Sequence, residues 1–241
     1  MKIIGIVGAS FCGSTLFGRV LSSLPGVIYP GELHWLLDPH RVPLCYKCGH
    51  GCPIYGRSAE RRITPQNIYE QVAEAEGGCD VLVSGDKSLD HYQRYKRRAD
   101  YYILLTRDVM SHVASLARTE KSFTAAATAW SLWHLRTIPQ LENQKTPVLC
   151  VSIERFLQNP QACADWLHQF TGGIIPKGTA SLPEQGHNCA GSASGVSAGA
   201  IDPNRPRQRT VPPENIAEVK AITQDAAARI REMRFPAIQT L

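Results

Sequence analysis

The sequence predicts an α/β protein: three layers, α/β/α, around a central parallel sheet with a P-loop-like first turn. Three observations carry this. Short apolar runs alternate with helical patterns along the chain, as buried parallel strands alternate with their covering helices. The first run ends directly in a glycine-bearing turn that opens a helix. The 241 residues, 43% hydrophobic and 20% charged, suit one α/β domain able to bury a large core without staples.

Taken in order, Lys2 to Val7 (KIIGIV) is a short apolar run ending at Gly8, and reads as a buried strand. Gly13 opens a helix whose apolar face is Leu16, Phe17, Val20, Leu21 and Leu24, stopped by Pro25-Gly26. A brief strand is expected at Val27 to Tyr29. Thr64-Pro65 reads as an N-cap followed by proline at the first helical position, with the helix running to Gly77-Gly78. Asp80 to Ser84, Tyr101 to Thr106 and Pro147 to Ser152 are further buried strands. Helices are expected near Asp108 to Arg118, from Phe123 to about Asn143, and through Trp166 and Phe170. Trp130 and Trp133 fall at helical spacing with Phe123, Ala126 and Ala127, which makes them core residues. Pro213 starts a last helix to about Arg234. One domain, 1–241, is expected, with no internal repeat. Residues 173–212, rich in Gly, Ser, Ala and Pro, read as a mobile loop or lid within it.

The net charge of +5 suits an anionic small ligand better than long nucleic acid, and the basic residues form no continuous run. No segment reaches the roughly 18 apolar residues needed to span a membrane. The amino-terminal segment passes straight into the glycine-rich turn, unlike a signal peptide. The chain is therefore expected to be cytoplasmic, with most of its eight cysteines as free thiols.

The chemistry begins at the first turn. Gly8-Ala9-Ser10-Phe11-Cys12-Gly13-Ser14-Thr15 occupies the frame GxxxxGK[ST], with Ser14 where the P-loop lysine belongs. Backbone N–H groups of such a turn and the following helix N-terminus face an anion, and Ser14 and Thr15 add hydroxyls. Without the lysine, the turn suits a single phosphate better than a triphosphate. A plain strand-to-helix turn is the alternative.

At these residues the chain resembles the sulfotransferases that use 3′-phosphoadenosine 5′-phosphosulfate (PAPS), and notably bacterial and tyrosylprotein sulfotransferases. Many of them carry [RK]-S-G-[ST]-T after the first strand, where the phosphosulfate binds. Phe11-Cys12-Gly13-Ser14-Thr15 matches its last three residues. Pro30-Gly31-Glu32 resembles the family's G-E step. Asp86-Lys87-Ser88 follows a strand where those enzymes place a catalytic lysine. Arg107-Asp108 with Ser115 resembles the 3′-phosphate site R-D-P-x5-S, its spacing of eight kept. Ile153-Glu154-Arg155-Phe156-Leu157 with Asn159-Pro160 resembles Y-E-D-L…D-P. The similarity spans roughly residues 3 to 172. Two positions depart from it: Phe11 replaces the basic residue of the loop, and Val109 replaces proline.

The resemblance implies a donor, PAPS, and an acceptor hydroxyl of unspecified kind; from the modest charge no partner nucleic acid is expected. It places Ser10, Phe11, Cys12, Gly13, Ser14 and Thr15 around the phosphosulfate, and Arg107 and Ser115 at the 3′-phosphate. Arg107 can alternatively pair with Asp108 or a helix carboxylate. Lys87 would stabilise the bridging oxygen and sulfonate, or else be a surface lysine. Glu32 would be the general base, with His34 as substitute; alternatively Glu32 is an acidic residue favoured by a helix dipole. Arg205, Arg207 and Arg209 would close over the nucleotide as a late basic loop, or form a solvated linker. Two other functions share parts of the pattern: a P-loop nucleotide kinase, with Asp86 nearest to a Walker-B aspartate, and a nucleotide-binding relative without catalysis, favoured by Phe11.

Cys45, Cys48 and Cys52 stand apart. They offer three soft ligands at C-x2-C-x3-C spacing for a structural zinc, with His40 or His50 as a fourth. Free thiols or a disulfide are the alternatives.

Overall fold

The structure, a computed structural model, describes residues 1–38, 40, 45, 47–49, 51–52, 55, 62–183, 187–189 and 209–233. Its strands are β1 (Lys2–Val7), β2 (Val27–Gly31), β3 (Val81–Lys87), β4 (Tyr101–Thr106) and β5 (Val148–Ser152). Its helices are α1 (Ser14–Leu21), α2 (Ile68–Ala75), α3 (Leu89–Arg94), α4 (Val109–Glu120), α5 (Phe123–Glu142), α6 (Ile153–Gln158), α7 (Pro160–Phe170) and α8 (Ile216–Arg231). Two 3-10 helices, Leu33–Leu37 and Pro213–Asn215, complete the set among the described residues.

The five strands form one sheet in the order β2-β3-β1-β4-β5, and every pairing is parallel. This is the expected three-layer architecture. The pleat of β1 divides its side chains: Ile4 and Ile6 enter a core with Phe17, Val20, Phe156 and Leu167, from α1, α6 and α7. Ile3 and Val7 face a second core with Tyr69, Tyr92, Tyr95, Ile138 and Leu141, from α2, α3 and α5. A third cluster joins α4, α5 and α8 around the fully buried Trp130. Trp133 packs from partial burial on the second core, so both tryptophans are packing residues.

The chain leaves β1 outward to β2, returns through β3, and crosses β1 to reach β4. The reversal falls at β1, so the crevice at the carboxyl ends of β1, β3 and β4 is where a parallel sheet of this kind takes a ligand.

Three boundaries differ from expectation for local reasons. α1 ends at Leu21 rather than Leu24, because the hydroxyls of Ser22 and Ser23 take the carbonyls of Arg19 and Val20. α2 starts at Ile68, because Asn67 Oδ1 accepts the backbone N–H and the hydroxyl of Thr64 and closes a turn there. Pro213 opens a 3-10 turn before α8. Of the segment read as a lid, 184–186 and 190–208 lie outside the described residues. Its first part, 173–183, lies against α1, with Ile175 and Leu182 buried and Pro183 O accepting from Arg19.

Candidate active site

The turn between β1 and α1 is built by two unusual backbone positions. Gly13 has φ +98 and a Cβ there would stand 2.7 Å from Ile153 Cγ1, so glycine is needed on both counts. Phe11 also has positive φ, at 65°. Its ring packs on the α4–α5–α8 cluster. Gly13 gives α1 no side-chain cap, and the positive end of the helix dipole faces the turn. Ser14 and Thr15 are buried in this first turn, and Ser10 is exposed. Cys12 lies beneath the turn; burial pushes its thiol pKa up, while the nearby Lys87 charge pulls the other way.

Two braces hold the turn from the α4 side. Arg107, just past β4, donates from Nη1 to Phe11 O at 2.9 Å. His112 Nε2 donates to Ser10 O at 2.6 Å, while His112 Nδ1 accepts from Trp130 Nε1 at 3.1 Å. These two contacts fix the neutral tautomer, and burial holds the His112 pKa down at about 3. Burial also lowers the Arg107 pKa; Glu154 opposes this and Arg209 adds to it, so Arg209 lies near enough for its charge to be felt. The Asp108 carboxylate caps α4 at Ser111 N, and the Asp108 N–H goes to Glu154 Oε1. Glu154 is in turn bonded by the Ser152 hydroxyl. The segment after β5 therefore supports the turn with Ile153 and steadies the Arg107 loop with Glu154.

On the other side stand Lys87 and Glu32. β3 pairs with β1 through an irregularity between Gly5 and Val7, and Lys87 ends the strand with φ 64. Its carbonyl takes Gly8 N, stitching β3 to the turn. Its ammonium makes an ion pair with Glu32 Oε1, and Glu32 Oε2 accepts from Trp35 Nε1 at 3.2 Å. Glu32 is the N-cap residue of the 3-10 helix, and its side chain makes no cap hydrogen bond there.

His34 is held against Asp86. Its Nδ1 donates to Asp86 Oδ1 at 2.9 Å. Asp86 is buried and takes four donors: His34 N and Nδ1 on one oxygen, Ser84 and Tyr95 hydroxyls on the other. His91 stacks on His34 with ring centroids 3.9 Å apart.

Of the residues singled out from sequence, the turn, Glu32, Lys87, His34 and Arg107 gather at the carboxyl edge of the sheet. Ser115 lies elsewhere in character: it is buried within α4 and its hydroxyl donates to Ser111 O. A phosphate contact there would require it to change partner. Arg209 is exposed near Arg107; Arg205 and Arg207 lie outside the described residues. Cys45, Cys48 and Cys52 come together, but around His187. His40 is exposed and not part of that group, and His50 lies outside the described residues. Sequence reading missed His112, Trp35, Glu154 and His187. Glu154 lay within a matched motif; the other three had no spacing signal.

No family model and no curated protein sequence matches the chain. Among solved structures, a sulfotransferase domain from the curacin biosynthetic pathway aligns with a TM-score of 0.55. The alignment covers 98% of this chain and 99% of that one at 16% identity, so the likeness is one of fold: a central parallel sheet flanked by helices, as in a sulfotransferase domain.

Proposed function

We propose that this chain is a sulfotransferase that moves the sulfuryl group of PAPS to an acceptor hydroxyl. The observation that carries the proposal is the Glu32–Lys87 ion pair at the edge of a lysine-less phosphate turn, with Arg107 on the turn's far side. A base, a cation for developing charge and a second cation for a further phosphate are the groups that sulfuryl transfer needs.

In this reading the turn and the N-terminus of α1 receive the 5′-phosphosulfate. Arg107, with Arg209 nearby, receives the 3′-phosphate. Glu32 accepts the proton of the acceptor hydroxyl as its oxygen bonds to sulfur. The bond from sulfur to the bridging oxygen breaks, and Lys87 meets the charge gathering on that oxygen. The products are the sulfate ester and adenosine 3′,5′-bisphosphate. The ion pair holds the Lys87 ammonium and the Glu32 carboxylate side by side at the crevice before the donor arrives. Phe11 cannot supply the loop cation of other sulfotransferases; Arg107, gripping Phe11 O, brings a charge to the same stretch of backbone.

The kinase reading is weaker because both Asp86 carboxylate oxygens already accept hydrogen bonds from Ser84, Tyr95 and His34, and no lysine stands in the turn. Thermal-shift titration with adenosine 3′,5′-bisphosphate and with Mg-ATP tests the choice. Stronger stabilisation by the bisphosphate is expected; equal or stronger stabilisation by Mg-ATP refutes the proposal.

A further inference from the structure

We propose that Cys45, Cys48, Cys52 and His187 form a structural zinc site that pins the 187–189 segment to the end of β2. The three sulfurs lie 3.6, 3.4 and 3.4 Å from His187 Nδ1, and Cys45 Sγ lies 3.7 Å from Cys48 Sγ. Tetrahedral zinc with Zn–S about 2.3 Å and Zn–N about 2.0–2.1 Å separates two sulfurs by about 3.8 Å and a sulfur from the nitrogen by about 3.5 Å. The four atoms thus already have the mutual spacing of a zinc ligand set.

Hydrogen bonding among neutral groups does not account for this arrangement. Nδ1 carries at most one proton or one lone pair, so it can satisfy one thiol and not three. A disulfide is excluded at 3.7 Å, since bonded sulfurs lie about 2.05 Å apart. A shared cation satisfies all four at once.

The backbone is shaped to deliver these ligands. Cys45 and Gly49 exchange hydrogen bonds, with Gly49 in the left-handed region at φ +66, so the chain doubles back and turns Cys45 and Cys48 to one side. Tyr55 N donates to Cys52 Sγ at 3.4 Å, and the Tyr55 hydroxyl donates to His187 O at 3.2 Å. Such outer contacts orient ligands around a metal. Cys45 and Cys52 are buried, while Cys48 is exposed and gives the ion a way in.

What the ion would hold is specific. Two residues beyond His187, Cys189 accepts Glu32 N at 2.8 Å and donates to Pro30 O at 2.7 Å. The approach is so close that a Cβ on Gly31 would stand 2.4 Å from Cys189 O. The Pro30-Gly31-Glu32 step is thus shaped by the segment that the metal anchors. The zinc assignment stands apart from the sulfotransferase reading; its consequence for Glu32 rests on that reading.

The test is metal analysis of the chain purified under reducing conditions without a metal-affinity tag. About one zinc per chain is expected. Replacement by Co²⁺ should give the visible bands of a tetrahedral thiolate site with a sulfur-to-metal charge-transfer band. Cys48→Ser, at the exposed ligand, and His187→Ala should each lower zinc affinity at least tenfold and alter the cobalt spectrum. A reduced chain that carries no zinc and takes up neither metal at micromolar concentration overturns the proposal, as does a native Cys45–Cys48 disulfide. Turnover separates the two readings. A zinc-loaded chain that never transfers sulfate leaves the site standing and refutes the sulfotransferase. A chain with full turnover and no zinc does the reverse.

Discussion

Replacing His112 with phenylalanine removes a bridge between the β1–α1 turn and the α5 core. The imidazole joins Ser10 O to Trp130 Nε1, and no phenyl atom can serve either group. Leaving a buried donor without a partner costs about 1–3 kcal/mol; Trp130 Nε1 is buried while Ser10 is exposed and can turn to water, so the change should destabilise the fold by roughly 1–3 kcal/mol. The pH dependence gives a second, independent magnitude. Burial holds His112 down at about 3 and His134 down at about 4, both below the ordinary histidine value. The unfolded chain therefore takes up these protons first, and stability is full above about pH 6.5 and falls as the pH drops towards 4. Between pH 7 and 4.5 each histidine accounts for a loss of about 2–3 kcal/mol. Urea denaturation at several pH values measures both effects. His112→Phe should be less stable at pH 7, and the acid loss should shrink by about the share of one histidine. Its affinity for adenosine 3′,5′-bisphosphate should fall several-fold, because Ser10 loses its brace. A variant with wild-type stability and an unchanged acid slope refutes the account of the turn.

Arg107→Ala should weaken bisphosphate binding by about 1.5–3 kcal/mol in calorimetry, and Arg107→Lys should recover only part of it, since the fork geometry is lost. Glu32→Gln and Lys87→Ala should each lower turnover by a factor on the order of 10² or more, with donor affinity nearly intact for the glutamate change. If Glu32→Gln keeps turnover while His34→Ala abolishes it, the Asp86–His34 pair is the base. Gly13→Ala should destabilise by about 1–2 kcal/mol from its backbone angle and a further 1–3 from the clash with Ile153. Gly13→Ala combined with Ile153→Ala should remove the steric part of that clash alone, which differential denaturation can read.

The sheet was legible because its strands are continuous apolar runs: β1 and β4 match their expected residues, and β5 begins one residue later, at Val148. β3 was read only to Ser84, since Gly85, Asp86 and Lys87 carry no apolar signal, and the irregular pairing there is set by tertiary contact. The short α3 and the 3-10 helix at Leu33–Leu37 are too brief to show a period. The glycine turn after β1 was readable from its frame, and Arg107 was singled out through its resemblance to a family motif. The Asp86–His34 contact was not, because it joins residues 52 apart in the chain through the fold. His187 was hidden more thoroughly: it lies 135 residues from Cys52, in a stretch with no periodicity. His112 looked like any polar residue inside a helix, and only its two bonded nitrogens show its role.

The most direct test of the central claim uses PAPS labelled in its sulfuryl group, offered to the wild-type chain with a panel of sugar, phenol, lipid and small-metabolite hydroxyls. The account predicts labelled product from at least one acceptor, with stoichiometric adenosine 3′,5′-bisphosphate, and loss of that product in Lys87→Ala while the variant stays folded. A chain that binds the bisphosphate yet labels no acceptor, or one whose Lys87→Ala variant transfers as fast as wild type, would contradict it.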